Sequence, residues 1–189
     1  MKKYFFILIV IVTLFSGNLF SKDPGDVVDD FTITNYDGNV YTLSNVKDAK
    51  AIIIMFWSTQ CPNVQGYNDR INELVSTYQQ KGFVFWAINS NKTESSAEVA
   101  AHSSQNSYVF PVLKDANCSV ADIFGATRTP EVYVLNTNRE ILYHGRIDDN
   151  RDSKLVTTHD LQNALDDIYN GKEVAVKTTK QFGCSIKRD

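Results

Sequence analysis

Cysteine is scarce in this chain. Only Cys61, Cys118 and Cys184 occur among 189 residues. No two of them fall within one helical turn, so there is no Cys-x-x-Cys and two-thiol exchange inside a single turn is excluded. Three is also an odd number: an oxidising compartment allows one disulfide and leaves one thiol over, which points to a reactive thiol or a mixed disulfide. Histidine offers no more. His102, His144 and His159 are scattered, with no ligand spacing near the cysteines, so no metal site is read and no cofactor is expected. A Lys/Arg stripe is missing as well. The formal net charge is −3, which argues against nucleic acid as the main partner. There is no internal repeat and no low-complexity tract.

What the chain does have is enough apolar residue for a core: 43% hydrophobic against 22% charged, the ordinary balance of one globular domain. Its one long hydrophobic run is at the start. Met1-Lys2-Lys3 is a short basic segment, Tyr4 to Phe15 is almost unbroken apolar sequence, and Ser16-Gly17-Asn18 interrupts it. This is the pattern of a secretory signal, since nothing polar gives the run a solvent face. The expected division is a signal peptide over residues 1–21, a domain over 22–171 and a tail over 172–189. Leu19 is larger than the small residue usual before a cleavage site, so an uncleaved leader is the alternative and would be the only membrane contact. The run falls short of the roughly 20 apolar residues that span a bilayer. No cysteine near its end permits lipid attachment. The expected location is therefore exported, periplasmic or otherwise extracytoplasmic.

Along the body, apolar runs alternate with amphipathic ones, the mark of an α/β protein. Phe31–Thr34 and Val40–Leu43 flank Asp37-Gly38 as a hairpin. Ala51–Trp57 is apolar on both faces, as a central strand requires. Val64–Gln80 carries apolar residues at spacings of three and four and reads as a helix stopped by Gly82. A strand over Phe83–Ile88, a surface helix over Glu94–Gln105, a short strand over Phe110–Leu113 and a short helix over Val120–Phe124 follow. Glu131–Leu135 and Glu140–His144 form a hairpin, and a last helix runs from about Thr158 to Tyr169. The fold class predicted is α/β with thioredoxin topology: a central mixed sheet flanked by helices, an N-terminal β-hairpin extension and a basic, irregular, mobile C-terminal tail that holds Cys184.

Two short segments carry the chemistry. Phe56-Trp57-Ser58-Thr59-Gln60-Cys61-Pro62 ends the buried strand and opens a helix. A thiol there faces free backbone N–H groups and the positive end of the helix dipole, which favour thiolate. Pro62 costs no hydrogen bond in the first turn, and Trp57 packs beside the thiol. Arg128-Thr129-Pro130-Glu131 precedes a strand whose middle a proline could not occupy. In a thioredoxin fold a cis-proline at this place lies against the active-site cysteine, and the backbone before it pairs with an incoming peptide. Trp57, Pro62, Thr129 and Pro130 are accordingly the expected substrate-binding residues.

The segments Cys61-Pro62-Asn63-Val64, Thr129-Pro130-Glu131, Gly145-Arg146-Ile147-Asp148-Asp149 and Gly183-Cys184-Ser185-Ile186-Lys187 together resemble a peroxiredoxin-like redoxin branch of the thioredoxin-like superfamily, of the alkyl hydroperoxide reductase/thiol-specific antioxidant type. The likeness runs from about Pro24 to Arg188. It implies a thiol oxidoreductase with Cys61 as nucleophile. The departures are specific. Ser58 stands where that branch has an upstream cysteine, and Val64 where thioredoxins have their second. Cys61 must then be resolved from a distance or by another molecule. Cys184, inside a family motif, is the favoured resolving residue, Cys118 is the alternative, and a Cys118–Cys184 bridge is the third pairing.

A peroxidase is the second functional reading. Ser58 meets that family's need for a hydroxyl three residues before the thiolate, but Ile54 fills the expected proline position. Pro130 falls where the arginine belongs, leaving Arg128 and Arg146 as the arginines that could substitute. Asp148 and Asp149 read as a capping loop ahead of a proton-transfer pair. The leading expectation is an exported thiol-disulfide oxidoreductase with a single active-site cysteine and a distal resolver. It would act on protein or small-molecule thiols and disulfides, with hydroperoxide as the alternative substrate and a redox-inactive adaptor as the non-enzymatic alternative. The sequence leaves the oligomeric state open.

Overall fold

The computed structural model describes residues 21–188; the leader read over 1–21 lies, apart from Ser21, outside the described residues. The Asp37-Gly38 turn takes the form its residues require, with Gly38 at φ 83°, where only glycine sits without a Cβ clash. It joins β1 (Thr32–Thr34) to β2 (Val40–Thr42) as an antiparallel pair. In chain order there follow β3 (Ile52–Phe56), α1 (Pro62–Gln65), α2 (Asn68–Gln79), β4 (Val84–Asn89), α3 (Ser96–Gln105), β5 (Val112–Lys114) and α4 (Ser119–Phe124). Then come β6 (Arg128–Thr129), β7 (Glu131–Leu135), β8 (Ile141–Gly145), α5 (Asp160–Tyr169) and β9 (Cys184–Ser185).

Five strands form the main sheet in the order β5-β4-β3-β7-β8. β3 pairs parallel with β4 and antiparallel with β7, so the sheet is mixed and β3 is its centre. Side chains of successive strand residues point to opposite faces, and the sequence supplies apolar residues for both. Ile53, Met55 and Trp57 join Phe85, Ala87, Val132 and Val134 in one layer, covered by Ile71 and Val75 of α2 and Leu161 and Leu165 of α5. Ile52, Ile54 and Phe56 face the other way, with Trp86, Ile88 and Tyr133, under Phe124 of α4 and Phe31 and Ile33 of the hairpin. This is the helix-flanked mixed sheet of the thioredoxin fold.

Three boundaries differ from the periodic reading, and each bears on the site. The helix expected over 64–80 is two. The Tyr67 N–H closes α1 on the Val64 carbonyl at 2.8 Å, and α2 starts afresh at Asn68. Gly66 sits at this break, where an added Cβ would stand 3.1 Å from the Arg151 carbonyl. The helix expected from Glu94 begins instead at Ser96. Ser95 caps it reciprocally with Glu98, a capping box that fixes the first turn and leaves Glu94 outside the helix, turned inward. Finally, the tail expected to be mobile is irregular but tied down. The His144 N–H donates to the Lys177 carbonyl at 2.9 Å, the Thr179 N–H to the His144 carbonyl at 3.1 Å, and the Ile186 N–H to the Thr127 carbonyl at 2.9 Å. Ile186 is buried in the second apolar layer.

Candidate active site

Cys61 is the residue before α1, in extended conformation (φ −83°, ψ 117°), with Pro62 in the first turn. Its carbonyl accepts from the N–H groups of Val64 at 3.0 Å and Gln65 at 3.2 Å. The thiol donates to the Thr129 carbonyl at 3.2 Å, and the Thr129–Pro130 peptide bond is cis. The cysteine and the cis-proline loop, 68 residues apart in sequence, thus meet directly. Thr129 is buried, and its hydroxyl has no hydrogen-bond partner among the described residues.

Cys184 completes the cluster. β9 pairs antiparallel with β6, and the register sets Cys184 opposite Thr129 and Ser185 opposite Arg128. The Cys184 sulfur is half-buried and accepts from Asn63 Nδ2 at 3.8 Å. No disulfide joins the three cysteines. The two neighbouring thiols are driven apart in acidity. Burial pushes Cys61 up, but the Cys184 thiol, the Val64 N–H, the Cys184 N–H and the Thr129 hydroxyl, all close to its sulfur, outweigh it, and its pKa falls below the ordinary thiol value. Burial raises Cys184, and so does its role as donor beside the Cys61 charge. Cys61 ionises first and Cys184 keeps its proton.

Cys118 is elsewhere. It also precedes a short helix, α4, but in left-handed conformation at φ 58°. Its sulfur donates to the Ser90 carbonyl at 2.9 Å, within the apolar layer on the face of the sheet opposite Cys61. Burial and the nearby Asp115 carboxylate raise its pKa. Trp57 lies in the layer with Cys61 but is 1% exposed. Its Nε1–H is spent on the Tyr108 hydroxyl at 3.0 Å, so the indole supports the site from beneath and offers no face to a substrate. Pro62 and Pro130 flank the cysteine in the first turn of α1 and across the loop.

Two carboxylates organise this region, and sequence reasoning missed both. Glu94 is buried and accepts from Ser58 Oγ, from Thr59 N–H at 2.8 Å, from Thr59 Oγ1 at 2.9 Å and from Asn89 Nδ2 at 2.6 Å. It holds the turn between β3 and Cys61. Glu131, fully buried, accepts from the N–H groups of Thr127 at 2.9 Å and Arg128 at 3.0 Å. It also accepts from His144 Nε2 at 2.8 Å, Tyr133 at 3.0 Å and Gln181 at 3.1 Å. Burial pushes its pKa up, yet the His144 hydrogen bond and the two backbone donors bring it below the usual value. Only the Ser/Thr/Asn side chains around Glu94 hinted at such a network, and nothing in their spacing distinguishes them from a polar loop.

A cleft of about 360 Å³ opens beside the two sulfurs, lined by Ser58, Cys61, Asn91, Glu94, Cys184 and Lys187 among others. The groups a peroxidase would need are engaged elsewhere. The Ser58 hydroxyl is given to Glu94, Arg128 Nη1 donates to the Gly183 carbonyl at 3.2 Å, and Arg146 Nε donates to Asp160 at 2.7 Å. The Asp148-Asp149 pair also serves structure. Asp148 is buried against Arg70 at 3.1 Å, and Asp149 caps Thr157, whose hydroxyl and N–H hold its pKa down to about 2.

Residues 24–144 match the AhpC/TSA family. Among curated proteins the chain is similar to thiol-disulfide oxidoreductase ResA of Bacillus anthracis, 24% identical over 135 residues, 69% of this chain and 75% of the relative. Among solved structures, a hypothetical protein from Sinorhizobium meliloti 1021 matches with a TM-score of 0.83 at 34% identity, covering 90% of this chain and 97% of that one. The thioredoxin domain of a thiol-disulfide oxidoreductase from Bacteroides vulgatus matches with a TM-score of 0.59 at 14% identity, over 80% of this chain and 96% of that one, a likeness of fold alone.

Proposed function

Because the chain belongs to the AhpC/TSA family, we propose that it is a thiol-disulfide oxidoreductase in which Cys61 is the nucleophile and Cys184 the resolving thiol. The observation that carries this reading is the β6–β9 register, which sets Cys184 opposite the residue whose carbonyl holds the Cys61 thiol. The similarity to a named thiol-disulfide oxidoreductase supports the same chemistry.

The exchange has two steps. The Cys61 thiolate attacks one sulfur of a disulfide R–S–S–R′, the S–S bond breaks, R′–S⁻ leaves and takes a proton, and Cys61–S–S–R remains. Cys184 then loses its proton and attacks the Cys61 sulfur. That bond forms, R–S⁻ leaves, and the substrate has become two thiols while the protein holds a Cys61–Cys184 disulfide. An external dithiol then attacks the Cys61–Cys184 disulfide, forms a mixed disulfide with one cysteine and closes to its own disulfide, which returns both protein thiols. Pro62 and the Thr129-Pro130 loop position the sulfur. Cys118, bonded to a carbonyl in the other layer, takes no part. The leader over 1–21 supports an exported protein working outside the cytoplasm, where such a disulfide persists.

The test is peptide mapping of the oxidised protein by mass spectrometry with activity measurements on single variants. A Cys61–Cys184 link is expected, with activity abolished in Cys61→Ser. In Cys184→Ser the first mixed disulfide should accumulate. A Cys118–Cys184 link would refute the resolving role, and full biological activity of Cys61→Ser would leave only a binding protein.

A further inference from the structure

We propose that β9 selects the substrate: the C-terminal strand fills in cis the backbone position that a bound peptide would take at the cis-proline loop, so the enzyme acts on low-molecular-weight disulfides and excludes peptide disulfides while the strand is seated. The proposal rests on the Cys61 chemistry above and adds its substrate class.

An extended peptide binds a fold of this kind by adding a strand to an open backbone edge, with main-chain hydrogen bonds giving the affinity. The edge that matters is Arg128–Thr129, next to the nucleophile. Here it is already paired by Ser185 and Cys184, and the pairing continues through the Ile186 N–H to the Thr127 carbonyl. The approach is close enough to need a glycine. A Cβ added at Gly183 would lie 2.1 Å from the Thr129 carbonyl oxygen, so any side chain there would collide with the loop backbone.

The strand is fastened on both flanks. On one side the Lys187 N–H donates to Asn91 Oδ1 at 2.8 Å, and the Lys92 N–H donates to the Lys187 carbonyl at 2.8 Å. Arg188 donates to the Ala126 carbonyl at 2.7 Å and pairs with Asp122. On the other side Gln181 is held by Glu131 at 3.1 Å. What stays open is the cleft of about 360 Å³, near the lower end of the roughly 300–1,000 Å³ typical of small-molecule sites. A small disulfide can reach Cys61 through it, but an extended chain finds the Arg128–Thr129 edge already taken.

The test uses single-turnover capture by Cys61 in the whole chain. The two probes are a small chromogenic disulfide, 4,4′-dithiodipyridine, and an eight-residue peptide carrying one cysteine as its pyridyl disulfide. Both release the same thiopyridone, and each rate is divided by that of the same probe with free cysteine, which removes their difference in intrinsic reactivity. In the native sequence the peptide should react at least about tenfold more slowly than the small reagent, the scale expected when main-chain pairing is denied. Releasing the strand by the double change Ile186→Ala/Arg188→Ala withdraws the Cys184 donors and slows both probes through Cys61 acidity, so the readout is the ratio: the peptide rate relative to the small-reagent rate should rise about tenfold. Gly183→Ala should act in the same direction by pushing the strand off Thr129. Equal rates for both probes in the native sequence, or an unchanged ratio in both variants, would overturn the proposal and leave the exchange chemistry standing. Failure of Cys61 to react even with the small reagent would sink the redox reading itself and this proposal with it.

Discussion

Cys61 and Cys118 occupy the same place in local structure, each the residue before a short helix, and they are almost equally buried, at 2% and 3% exposure. Their chemistry is nevertheless opposite. The Cys61 thiol also donates to a carbonyl, that of Thr129, but the Cys184 thiol, two backbone N–H groups and a threonine hydroxyl close to its sulfur together overcome the cost of burial. The Cys118 sulfur faces the Ser90 carbonyl and the Asp115 carboxylate, neither of which can stabilise a negative charge. The helix start is common to both, so it does not by itself make a thiolate. The groups that other elements bring to the sulfur decide the outcome.

Five variants probe this contrast, beginning with the largest expected effect. Cys61→Ser should lower disulfide-exchange rates by at least about 10³, as loss of a nucleophile does. Cys118→Ala should leave them within about threefold, with the reduction of a small disulfide as the readout. If Cys118→Ala were as damaging as Cys61→Ser, the contrast would be lost. Glu94→Ala removes the acceptor for four donors and should cost about 1–3 kcal/mol of stability, measured by urea unfolding. It should also slow Cys61 alkylation, because the Ser58–Thr59 turn loses its anchor.

On the other side of the contrast, Asp115 accepts from the Val120 and Ala121 N–H groups at the start of α4, each at 3.1 Å. Asp115→Ala should therefore cost about 0.5–2 kcal/mol, the usual range for a lost helix cap, with no change in Cys61 reactivity. The smallest effect is on acidity. Cys184→Ala deletes the thiol donor, so the Cys61 pKa should rise, less thiolate should be present at neutral pH, and the pH midpoint of iodoacetamide alkylation should move up. A midpoint that fell or stayed fixed would show that Cys184 does not stabilise the charge.

The central strand was legible because every residue from Ala51 to Trp57 is apolar, which only a doubly covered strand tolerates. The Cys61-Pro62 and Thr129-Pro130 pair was legible because proline's missing N–H restricts where it can stand. The break at Gly66 was not. Val64, Tyr67 and Ile71 keep helical spacing straight across it, and only the packing of the Arg151 loop reveals the interruption. Glu94 reads as a surface residue between Thr93 and Ser95 until tertiary donors converge on it. The position of Cys118 misleads for a related reason: nearness in sequence to the cis-proline loop suggests nearness in space, but the sheet separates its layer from that of Cys61. The tail was opaque because a two-residue strand has no periodicity to detect.

Glu131 draws the loop amides, the His144 ring and the tail's Gln181 onto one carboxylate. Its folded pKa lies below its unfolded value, so it stabilises the fold fully above the unfolded carboxylate range and loses that contribution as pH falls through the folded value. Acid should therefore strike the seat of the nucleophile and the strand over it in a single protonation. The discrimination proposed for β9 should then weaken as Glu131 takes up its proton, and return on neutralisation.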